Sequence, residues 1–239
     1  MVKITILVDD INGSVDDFVS SYGFSALIEL DGIKVLFDAG TKVNPLMDNL
    51  NRLNYTPVDL DAVILSHNHY DHTDGLPGIL KGNNDIPVYV HKMWDTKVSF
   101  KGFQVPKNNK KIISTPRTLD EISSDIFITD VHHSQDYGGI QEHACYIKAK
   151  NSYILISGCC HPGLNIFLQD RKQLNIQMDA PLSIMGGFHG FKFSNQKAAD
   201  LYPQINKIIV CHCTSHVNQY RQQFKEKYLM GIVGKTYTF

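Results

Sequence analysis

Three histidines and one aspartate stand within six residues, directly after an apolar run that has the pattern of a buried strand. The segment reads VILSHNHYDHTDGL, residues 63–76. Because residues two apart in an extended chain face the same way, His67 and His69 can converge on one point at the end of that strand. As the chain turns, Asp71 and His72 can project beside them. Imidazoles and a carboxylate are ligands of zinc and other divalent first-row metals, so this segment predicts half of a metal site.

The alternative interpretation is an ordinary surface loop that contains several histidines. One or two histidines would favour that alternative. Three histidines and an aspartate so close after a buried strand crowd their polar groups in one place, which is costly unless a cation compensates them. Metal binding is therefore the favoured interpretation.

Composition limits the class of partner. The chain has 239 residues, 43% of them apolar and 20% charged, which is typical of a globular protein that buries a core without disulfides or structural metal. Lys and Arg number 23 and Asp and Glu number 24, with no long run of either sign. We therefore expect no nucleic-acid partner and no membrane partner, and an anionic small-molecule substrate would have to be bound by local groups.

Cysteine usage and hydropathy favour a cytoplasmic protein. The five cysteines make an odd count, which is not typical of a disulfide-stapled secreted domain. The apolar stretch at the N-terminus ends at Asp9 and Asp10, too early for a signal-peptide core. No later stretch has the length needed to span a bilayer. The sequence leaves the oligomeric state open.

Short β-rich runs and a few amphipathic helices alternate along the chain. Strands are predicted at 3–8, 24–30, 33–37, 62–65, 126–129, 144–149, 153–157, 182–185 and 208–211, and helices at 42–53, 195–202 and 217–228. The pair Asp31-Gly32 predicts a two-residue hairpin turn, because both residue types tolerate positive φ. Sheets in both halves with helices outside them indicate an α/β fold, an αββα four-layer sandwich, in a single domain over residues 1–239.

The segment 94–111 has the weakest ordering pattern and ends in the run KGFQVPKNNKK. It is predicted to be a solvated surface loop, mobile without ligand, and the alternative is a lid over the site. Its positive charges could attract an anionic substrate to the mouth of the site. They are Lys97, Lys101, Lys107, Lys110 and Lys111.

The run from His67 to His72 resembles the His-x-His-x-Asp-His motif of the metallo-β-lactamase-fold superfamily. The upstream FDAG at 37–40 and the predicted strand order are similar as well. Three further segments, SGCCHPG at 157–163, MGGFHG at 185–190 and CHCTS at 211–215, resemble its dihydropterin synthase-like branch, which is related to enzymes of methanopterin biosynthesis. The resemblance spans nearly the whole chain and implies a metallo-β-lactamase-type sandwich, although one such fold hosts many reactions.

Carried over to this chain, the resemblance implies a dinuclear metal site. The implied ligands of one metal are His67, His69 and His161, and those of the other are Asp71, His72 and His212. The implied cofactors are two divalent transition-metal ions, with zinc favoured and manganese or iron as alternatives. Most members of the superfamily carry a bridging aspartate where this chain has Cys159. The Cys159 thiolate could ligate zinc, a bridging water could suffice alone, or His161 could shift toward the shared position.

Other cysteines and histidines have alternative roles. Cys159 and Cys160 are equally well explained as small buried residues at a strand end. Cys211 and Cys213 flank His212, but the chain lacks a second cysteine pair at zinc-finger spacing, so a zinc finger is rejected. Alternative ligands to His161 are His132, His133 and His143, which we rank below it because only His161 lies in a matching motif.

The motif at 186–189 predicts a wall that contacts substrate. Its glycines permit close backbone approach, and His189 is predicted to donate to a phosphate or a ring carbonyl, with simple packing as the alternative role of this histidine. Phe188 or Phe191 could stack on a flat heteroaromatic ring. The alternative is that both phenylalanines are core residues beside a strand end.

A dinuclear site implies polar rather than redox chemistry. Two metal ions about 3.5 to 4 Å apart can hold a water, lower its pKa toward about 7 and stabilise a developing oxyanion. Asp71 is the predicted catalytic group that orients this water or takes its proton. The predicted function is a metal-dependent hydrolase of a small anionic, phosphorylated or pterin-like substrate. The alternatives are a dihydropterin synthase-type transferase, which condenses a dihydropterin with a ribosyl-phosphate partner, and a non-catalytic metal-containing ligand-binding or sensor domain.

Overall fold

Sixteen strands and six α-helices make up the computed structural model, which describes residues 1–239. The strands are β1 (Val2–Val8), β2 (Ser25–Leu30), β3 (Ile33–Phe37), β4 (Ala62–Ile64), β5 (Val88–His91), β6 (Lys110–Ile113), β7 (Arg117–Leu119), β8 (Ser123–Ile128), β9 (His132–Ser134), β10 (Ile140–Glu142), β11 (Cys145–Ala149), β12 (Ser152–Ser157), β13 (Leu182–Gly187), β14 (Ile205–Cys211), β15 (Tyr228–Met230) and β16 (Thr236–Thr238). The helices are α1 (Val43–Arg52), α2 (Tyr70–Thr73), α3 (Leu76–Gly82), α4 (Leu164–Gln169), α5 (Asn195–Leu201) and α6 (Val217–Phe224).

The strands form two seven-stranded sheets and one separate hairpin. The first sheet has the order β16-β1-β2-β3-β4-β5-β6, and the second has the order β15-β14-β13-β12-β11-β8-β7. In each sheet one run of neighbours is parallel, β3 to β6 in the first and β12 to β15 in the second. The remaining pairs are antiparallel, and β9 and β10 pair only with each other.

Three apolar cores hold four layers together. The central core joins the inner faces of the two sheets, with Ile6 and Ile64 from one sheet and Ile156 from the other. A second core packs α1 and α3 on the first sheet, and a third packs α4, α5 and α6 on the second sheet. Apolar side chains alternate between the two faces of each strand, so both faces of each sheet are covered. The αββα four-layer sandwich predicted from the sequence is confirmed.

The hairpin turn between β2 and β3 is also confirmed. Leu30 pairs with Ile33, which leaves a two-residue turn at Asp31 and Gly32. Their φ angles of 48° and 88° are both positive, as a primed turn requires. No helix of the protein is long and apolar enough to cross a membrane.

Candidate metal centre

The predicted ligands lie at one edge of the sandwich, where parallel strands of both sheets end. β4 leads into His67, β12 leads into Cys159 and β14 leads into His212. The two sheets approach closely here, since a Cβ atom at Gly158 would lie 2.1 Å from the Oγ atom of Ser66. A residue without a side chain at position 158 is therefore needed for the two halves of the site to meet.

His67, His69 and His161 form the first cluster. Their ring centroids are 4.7, 5.1 and 5.4 Å apart, and one ligand nitrogen from each ring lies within 4.8 Å of the others. The Nε2 atoms of all three are buried without a hydrogen-bond partner. Three nitrogen atoms thus converge on a point that no group of the protein occupies.

Asp71, His72, Cys159 and His212 form the second cluster, again with ligand atoms within 4.8 Å of one another. The Nε2 atom of His212 lies 3.2 Å from Oδ2 of Asp71, while Oδ1 of Asp71 is buried without a partner. The two clusters adjoin, because the ring centroids of His67 and His72 are only 4.2 Å apart. The fold therefore brings together all seven residues that the sequence predicts as metal ligands.

Acidic residues stand behind the histidines of the second cluster and orient them. The Oδ2 atom of Asp38 lies 2.7 Å from Nδ1 of His72, and the Oδ1 atom of Asp10 lies 2.6 Å from Nδ1 of His212. A carboxylate in this position keeps a proton on Nδ1, which leaves Nε2 as the nitrogen that faces a metal.

The first cluster is oriented in the same way. The Oγ atom of Ser66 lies 2.9 Å from Nδ1 of His67 and donates its own proton to Oδ2 of Asp38 at 2.7 Å. The Oδ2 atom of Asp136 lies 3.2 Å from Nδ1 of His161. Asp38 thus supports one histidine from each cluster, directly in one case and through a serine hydroxyl in the other.

The protonation states of the first cluster and of Asp71 suit metal binding. Burial and the neighbouring histidines hold the pKa of His67 well below its usual range. Burial is also the main cause that lowers the pKa of His69 to about 4 and that of His161 to about 3. Burial opposes ionisation of Asp71, but the adjacent histidines outweigh it and hold its pKa below the usual range. Neutral imidazoles and an ionised carboxylate are the forms that ligate metal.

Glu142 holds the loop that carries Cys159 and His161. Its carboxylate is fully buried and accepts the backbone N–H groups of Cys159, Cys160 and His161 at 3.0, 2.8 and 2.7 Å. Burial raises the pKa of Glu142 to about 7, although the three N–H donors favour its ionised form. This glutamate positions one residue of each cluster.

The donor set fits divalent transition-metal ions. Imidazole nitrogen, carboxylate oxygen and thiolate sulfur are the ligand types of zinc, and the nitrogen and oxygen donors also suit manganese and iron. Buried polar atoms normally have partners. The unpartnered Nε2 atoms of His67, His69 and His161 and the Oδ1 atom of Asp71 are exceptions that a bound cation would explain.

The alternative ligands lie outside both clusters. His132 bonds to the carboxylate of Asp170, and the ring of His133 bonds to the side chain of Gln141. His143 is buried, and its Nε2 atom lies 2.8 Å from a backbone carbonyl oxygen of the β4 strand end. The structure therefore places His161, and none of these three, in a cluster.

Some of the cysteines lie in the apolar cores and others lie at the candidate site. Cys159 faces the second cluster, whereas Cys160 packs in the core between the second sheet and its helices. Cys211 lies in the central core between the sheets, and Cys213 lines the cavity over the clusters. Cys211 and Cys213 thus point into different surroundings, unlike a zinc-finger pair.

A cavity of about 160 Å³ opens over both clusters. Its floor consists of cluster residues and Cys213, and its walls are mainly aromatic. The lining residues are Tyr22, His69, Tyr70, Asp71, Phe100, Tyr137, Cys159, His161, His189 and Cys213.

His189 lies in the wall of this cavity, beside the first cluster. Its ring centroid is 4.7 Å from that of His161. The Nε2 atom of His189 lies 3.2 Å from the hydroxyl of Tyr137, and its Nδ1 atom lies 4.0 Å from Oδ2 of Asp136. A group bound in the cavity can therefore contact the His189 side chain.

Phe188 and Phe191 do not line the cavity. Phe188 is fully buried and packs against Tyr220, with ring centroids 5.2 Å apart. Phe191 packs edge-on against Phe193 at 4.9 Å. The core alternative therefore describes both residues, because the strand that ends in Gly187 directs the next side chain toward the outer helices.

Most of the segment 94–111 is exposed, as predicted for a surface loop, but a few buried side chains and hydrogen bonds anchor it to the rest of the protein. Trp94 and Val105 are each 1% exposed. The N–H group of Phe103 donates to Oγ1 of Thr73 at 3.0 Å and to Oδ1 of Asp74 at 2.7 Å. These isolated anchors have no regular spacing, so a periodicity argument does not detect them. The segment contributes Phe100 to the cavity wall.

Sequence patterns do not identify the orienting carboxylates as parts of the site. Asp10 and Asp38 follow the ends of β1 and β3, at the same edge as His67, and that placement is the signal that could have found them. Asp136 and Glu142 belong to the connection and hairpin around β9 and β10. No local pattern marks them, and only tertiary packing brings them to the clusters.

Comparison with known proteins finds a family model and a full-length relative that this chain resembles. Residues 34–145 match the model of the β-lactamase superfamily domain. Over its full length the chain is 29% identical to 7,8-dihydropterin-6-methyl-4-(β-D-ribofuranosyl)-aminobenzene-5′-phosphate synthase of Methanocaldococcus jannaschii, and the match covers 100% of this chain and 97% of that protein.

Solved structures with the same architecture cover the whole chain. Tm1679, a metal-dependent hydrolase of the β-lactamase superfamily, has a TM-score of 0.74 at 23% identity and covers 100% of this chain and 99% of its own. The metallo-β-lactamase fold protein YhfI of Bacillus subtilis has a TM-score of 0.63 at 14% identity, with 99% and 98% covered. This chain therefore has the metallo-β-lactamase fold, and residues 34–145 within it match the β-lactamase superfamily domain.

Proposed function

We propose that this protein is a metal-dependent hydrolase that acts on a small anionic substrate. The observation that carries the proposal is the set of four buried, unpartnered ligand atoms beneath an open cavity, the Nε2 atoms of His67, His69 and His161 and the Oδ1 atom of Asp71. A structural metal buried in a core would not need a cavity at its side. An open approach to the ligand atoms is what a catalytic centre requires.

In this proposal each cluster holds one divalent ion. The first ion is held by His67, His69 and His161, and the second by Asp71, His72, Cys159 and His212. Zinc is favoured because a thiolate is among the ligands, with manganese or iron as alternatives. When bound, such ions supply positive charge that attracts an anionic group, Lewis acidity, and a lowered pKa for water.

Asp71 is proposed as the group that holds the proton of the attacking water. Its Oδ2 atom is engaged by His212, while Oδ1 has no partner and the residue lines the cavity. The adjacent histidines keep this carboxylate ionised, so Oδ1 can accept a proton or orient a water through a hydrogen bond.

His189 and Tyr137 are proposed to contact the substrate on the opposite wall. The imidazole of His189 and the hydroxyl of Tyr137 can donate to oxygen atoms of a phosphate or of a leaving group. Asp136 lies close to Nδ1 of both His161 and His189, so one carboxylate can orient a predicted metal ligand and a substrate-binding side chain together.

The comparisons support the hydrolase class. A structural neighbour over the whole chain is described as a metal-dependent hydrolase, although the likeness itself concerns the fold. A second candidate is a transferase that condenses a dihydropterin with a ribosyl-phosphate partner. The full-length similarity to the archaeal synthase is the observation that favours this candidate.

Metal analysis combined with a substrate panel tests the proposal. The purified protein, reconstituted with zinc or manganese, is assayed with a phosphodiester, a homoserine lactone, and a dihydropterin together with a ribosyl-phosphate donor. We expect turnover of a phosphate-bearing substrate, a loss of at least about a hundredfold in Asp71→Asn, and no change in His133→Ala, whose histidine lies outside the clusters.

Each contrary result has a defined meaning. Product that appears only when both the dihydropterin and the ribosyl donor are present would replace the hydrolase by the transferase. A protein that holds two metal equivalents and turns over none of the panel, at rates no higher than Asp71→Asn, would favour a non-catalytic ligand-binding domain.

A further inference from the structure

The exposed aromatic side chains of this protein are confined to one place. Only three phenylalanine, tyrosine or tryptophan side chains are exposed: Tyr22 at 48%, Phe100 at 60% and Tyr137 at 49%. All three line the cavity over the metal centre. Since aromatic rings are costly to leave in water, their concentration at a single mouth points to a ligand that covers them.

The three rings stand over different parts of the site. Tyr137 lies over the first cluster, with its ring centroid 6.1 Å from that of His69 and 6.0 Å from that of His161. Phe100 meets Tyr137 edge-on at 5.6 Å. Tyr22 lies over the second cluster, 5.3 Å from the ring of His212. A group that enters between these walls reaches both clusters.

The backbone at two of these rings has an unusual conformation. Phe100 has a φ of 56° and Tyr137 has a φ of 48°, a left-handed conformation that bulky residues rarely adopt. The carbonyl of Phe100 accepts the N–H group of Tyr70 at 3.0 Å. Tyr22 stacks on Tyr70, with ring centroids 6.2 Å apart and planes inclined by 30°. Unfavourable backbone conformations that surrounding structure maintains are typical of functional sites.

We infer that Tyr22, Phe100 and Tyr137 form a subsite for a planar aromatic or heteroaromatic ring carried by the substrate. This inference rests on the proposed function in one respect: the reacting group of the substrate is taken to lie at the metal clusters. The cavity of about 160 Å³ is similar in volume to a cavity of about 150 Å³ that is known to accept benzene in another protein, so it can hold one ring. Offset or edge-on contacts with the three side chains would orient that ring toward the clusters.

Charge argues against a cationic occupant. Aromatic walls can also bind quaternary ammonium groups. Here the floor would carry two divalent cations in the loaded protein, and the anionic groups that border the same space are one carboxylate, Asp71, and one potential thiolate, Cys159. A fixed positive charge would be repelled, whereas a neutral ring with an anionic substituent would be attracted.

A matched pair of ligands distinguishes the contribution of the ring to binding from that of the anionic group. Phenylphosphonate and cyclohexylphosphonate carry the same anionic group on rings of similar size, and only the first ring is planar and aromatic. Binding of each is measured by titration calorimetry to zinc-loaded and to metal-free protein, so no turnover is needed. We expect phenylphosphonate to bind about tenfold more tightly than cyclohexylphosphonate. Replacement of any one of the three aromatic residues by leucine should reduce this ratio of affinities about two- to tenfold.

The variants are Tyr22→Leu, Phe100→Leu and Tyr137→Leu, each of which keeps an apolar side chain at an exposed position. Tyr137→Phe keeps the ring but loses the contact with His189, and it should retain the preference. The matched control is Tyr55→Leu, since Tyr55 bonds to Glu29 far from the clusters and does not line the cavity. Thermal unfolding of each variant verifies that it is folded.

Two kinds of failure are separable. Three results would each overturn the ring subsite. They are equal binding of the two phosphonates by the parent, a preference unchanged in all three leucine variants, and tighter binding of tetramethylammonium than of phenylphosphonate. Failure of the proposed function would appear instead as absent metal or absent hydrolysis, with the phenyl preference still measurable in the metal-free protein.

Discussion

The Nε2 atom of His72 lies 3.1 Å from the Sγ atom of Cys159, although 87 residues separate them in the chain. His72 belongs to α2, beside the first sheet, and Cys159 follows β12 of the second sheet. The contact therefore joins the two halves of the sandwich at the second cluster. It places a thiol where an imidazole and a carboxylate already converge, so that cluster offers sulfur as well as nitrogen and oxygen donors.

We predict that Cys159→Ser weakens the binding of one metal ion more than the other. A serine hydroxyl is a poor zinc ligand, and only the second cluster includes this side chain. Metal content by elemental analysis should fall from about two equivalents toward one, and Cys159→Asp should restore part of the loss. Cys160→Ser is the control, because Cys160 packs in the core away from the clusters. A larger metal loss in the control than in Cys159→Ser would contradict the assignment.

Replacing His69 and His72 together by alanine should reduce metal content toward background, because each change removes a nitrogen ligand from a different cluster. The matched control replaces His132 and His133, which lie outside both clusters. Circular dichroism establishes that both double variants are folded. Unchanged metal stoichiometry in the folded His69/His72 variant would refute the proposed ligand set.

The sequence is sufficient to predict the sandwich and the candidate ligands that lie in local motifs. His67, His69, Asp71 and His72 are neighbours in sequence, so their spacing alone indicates a common site. The strand β5 and the short strands at the sheet edges escape prediction because they are only three or four residues long. Their pairing is set by neighbouring strands rather than by a local pattern.

The walls of the cavity could not be predicted in the same way. Tyr22, Phe100 and Tyr137 come from three distant loops, and none lies in a periodic segment. The segment 94–111 has a loop composition and is mostly exposed, yet the buried side chains of Trp94 and Val105 anchor it. Burial of isolated residues depends on the shape of the surface they meet, and that shape exists only in the folded chain.

We predict that Asp38→Asn lowers metal affinity about 10- to 100-fold, because residues that orient metal ligands typically contribute that much. Asp38 bonds directly to His72 and, through Ser66, to His67, so both sites should weaken. Competition with a chromophoric chelator measures the affinities. Asp95→Asn is the control, since Asp95 pairs with Lys110 on the surface. Equal affinities in Asp38→Asn and the control would show that Asp38 does not orient the ligands.

We predict that Gly102→Ala loosens the segment 94–111. A Cβ atom there would lie 2.0 Å from Oγ1 of Thr73 and 2.4 Å from Cα of Tyr70, so the segment has to shift away from α2. Limited trypsin digestion should cut the variant at the lysines of this segment faster than the parent. Gly190→Ala is the control because its Cβ atom would have no neighbour within 4 Å. A parent cut here as fast as the variant would instead support the mobile loop predicted from composition.

Glu142→Gln should affect the two metal sites differently. One carboxylate oxygen of Glu142 accepts the N–H groups of Cys159 and Cys160, and the other accepts that of His161. If the glutamine oxygen keeps the first pair, its NH₂ group faces the N–H donor of His161, and the buried donor left without a partner costs about 1–3 kcal/mol.

The free energy of unfolding of the metal-free Glu142→Gln protein, measured with urea, should fall by about that amount. Because the disturbed donor is that of His161, metal loss should begin at the first cluster, the opposite order from Cys159→Ser. Glu121→Gln, which changes a surface ion pair with Arg117, should leave the metal content unchanged. If Glu142→Gln and Cys159→Ser lose the same metal first, Glu142 does not act through His161, and the loop responds as one unit.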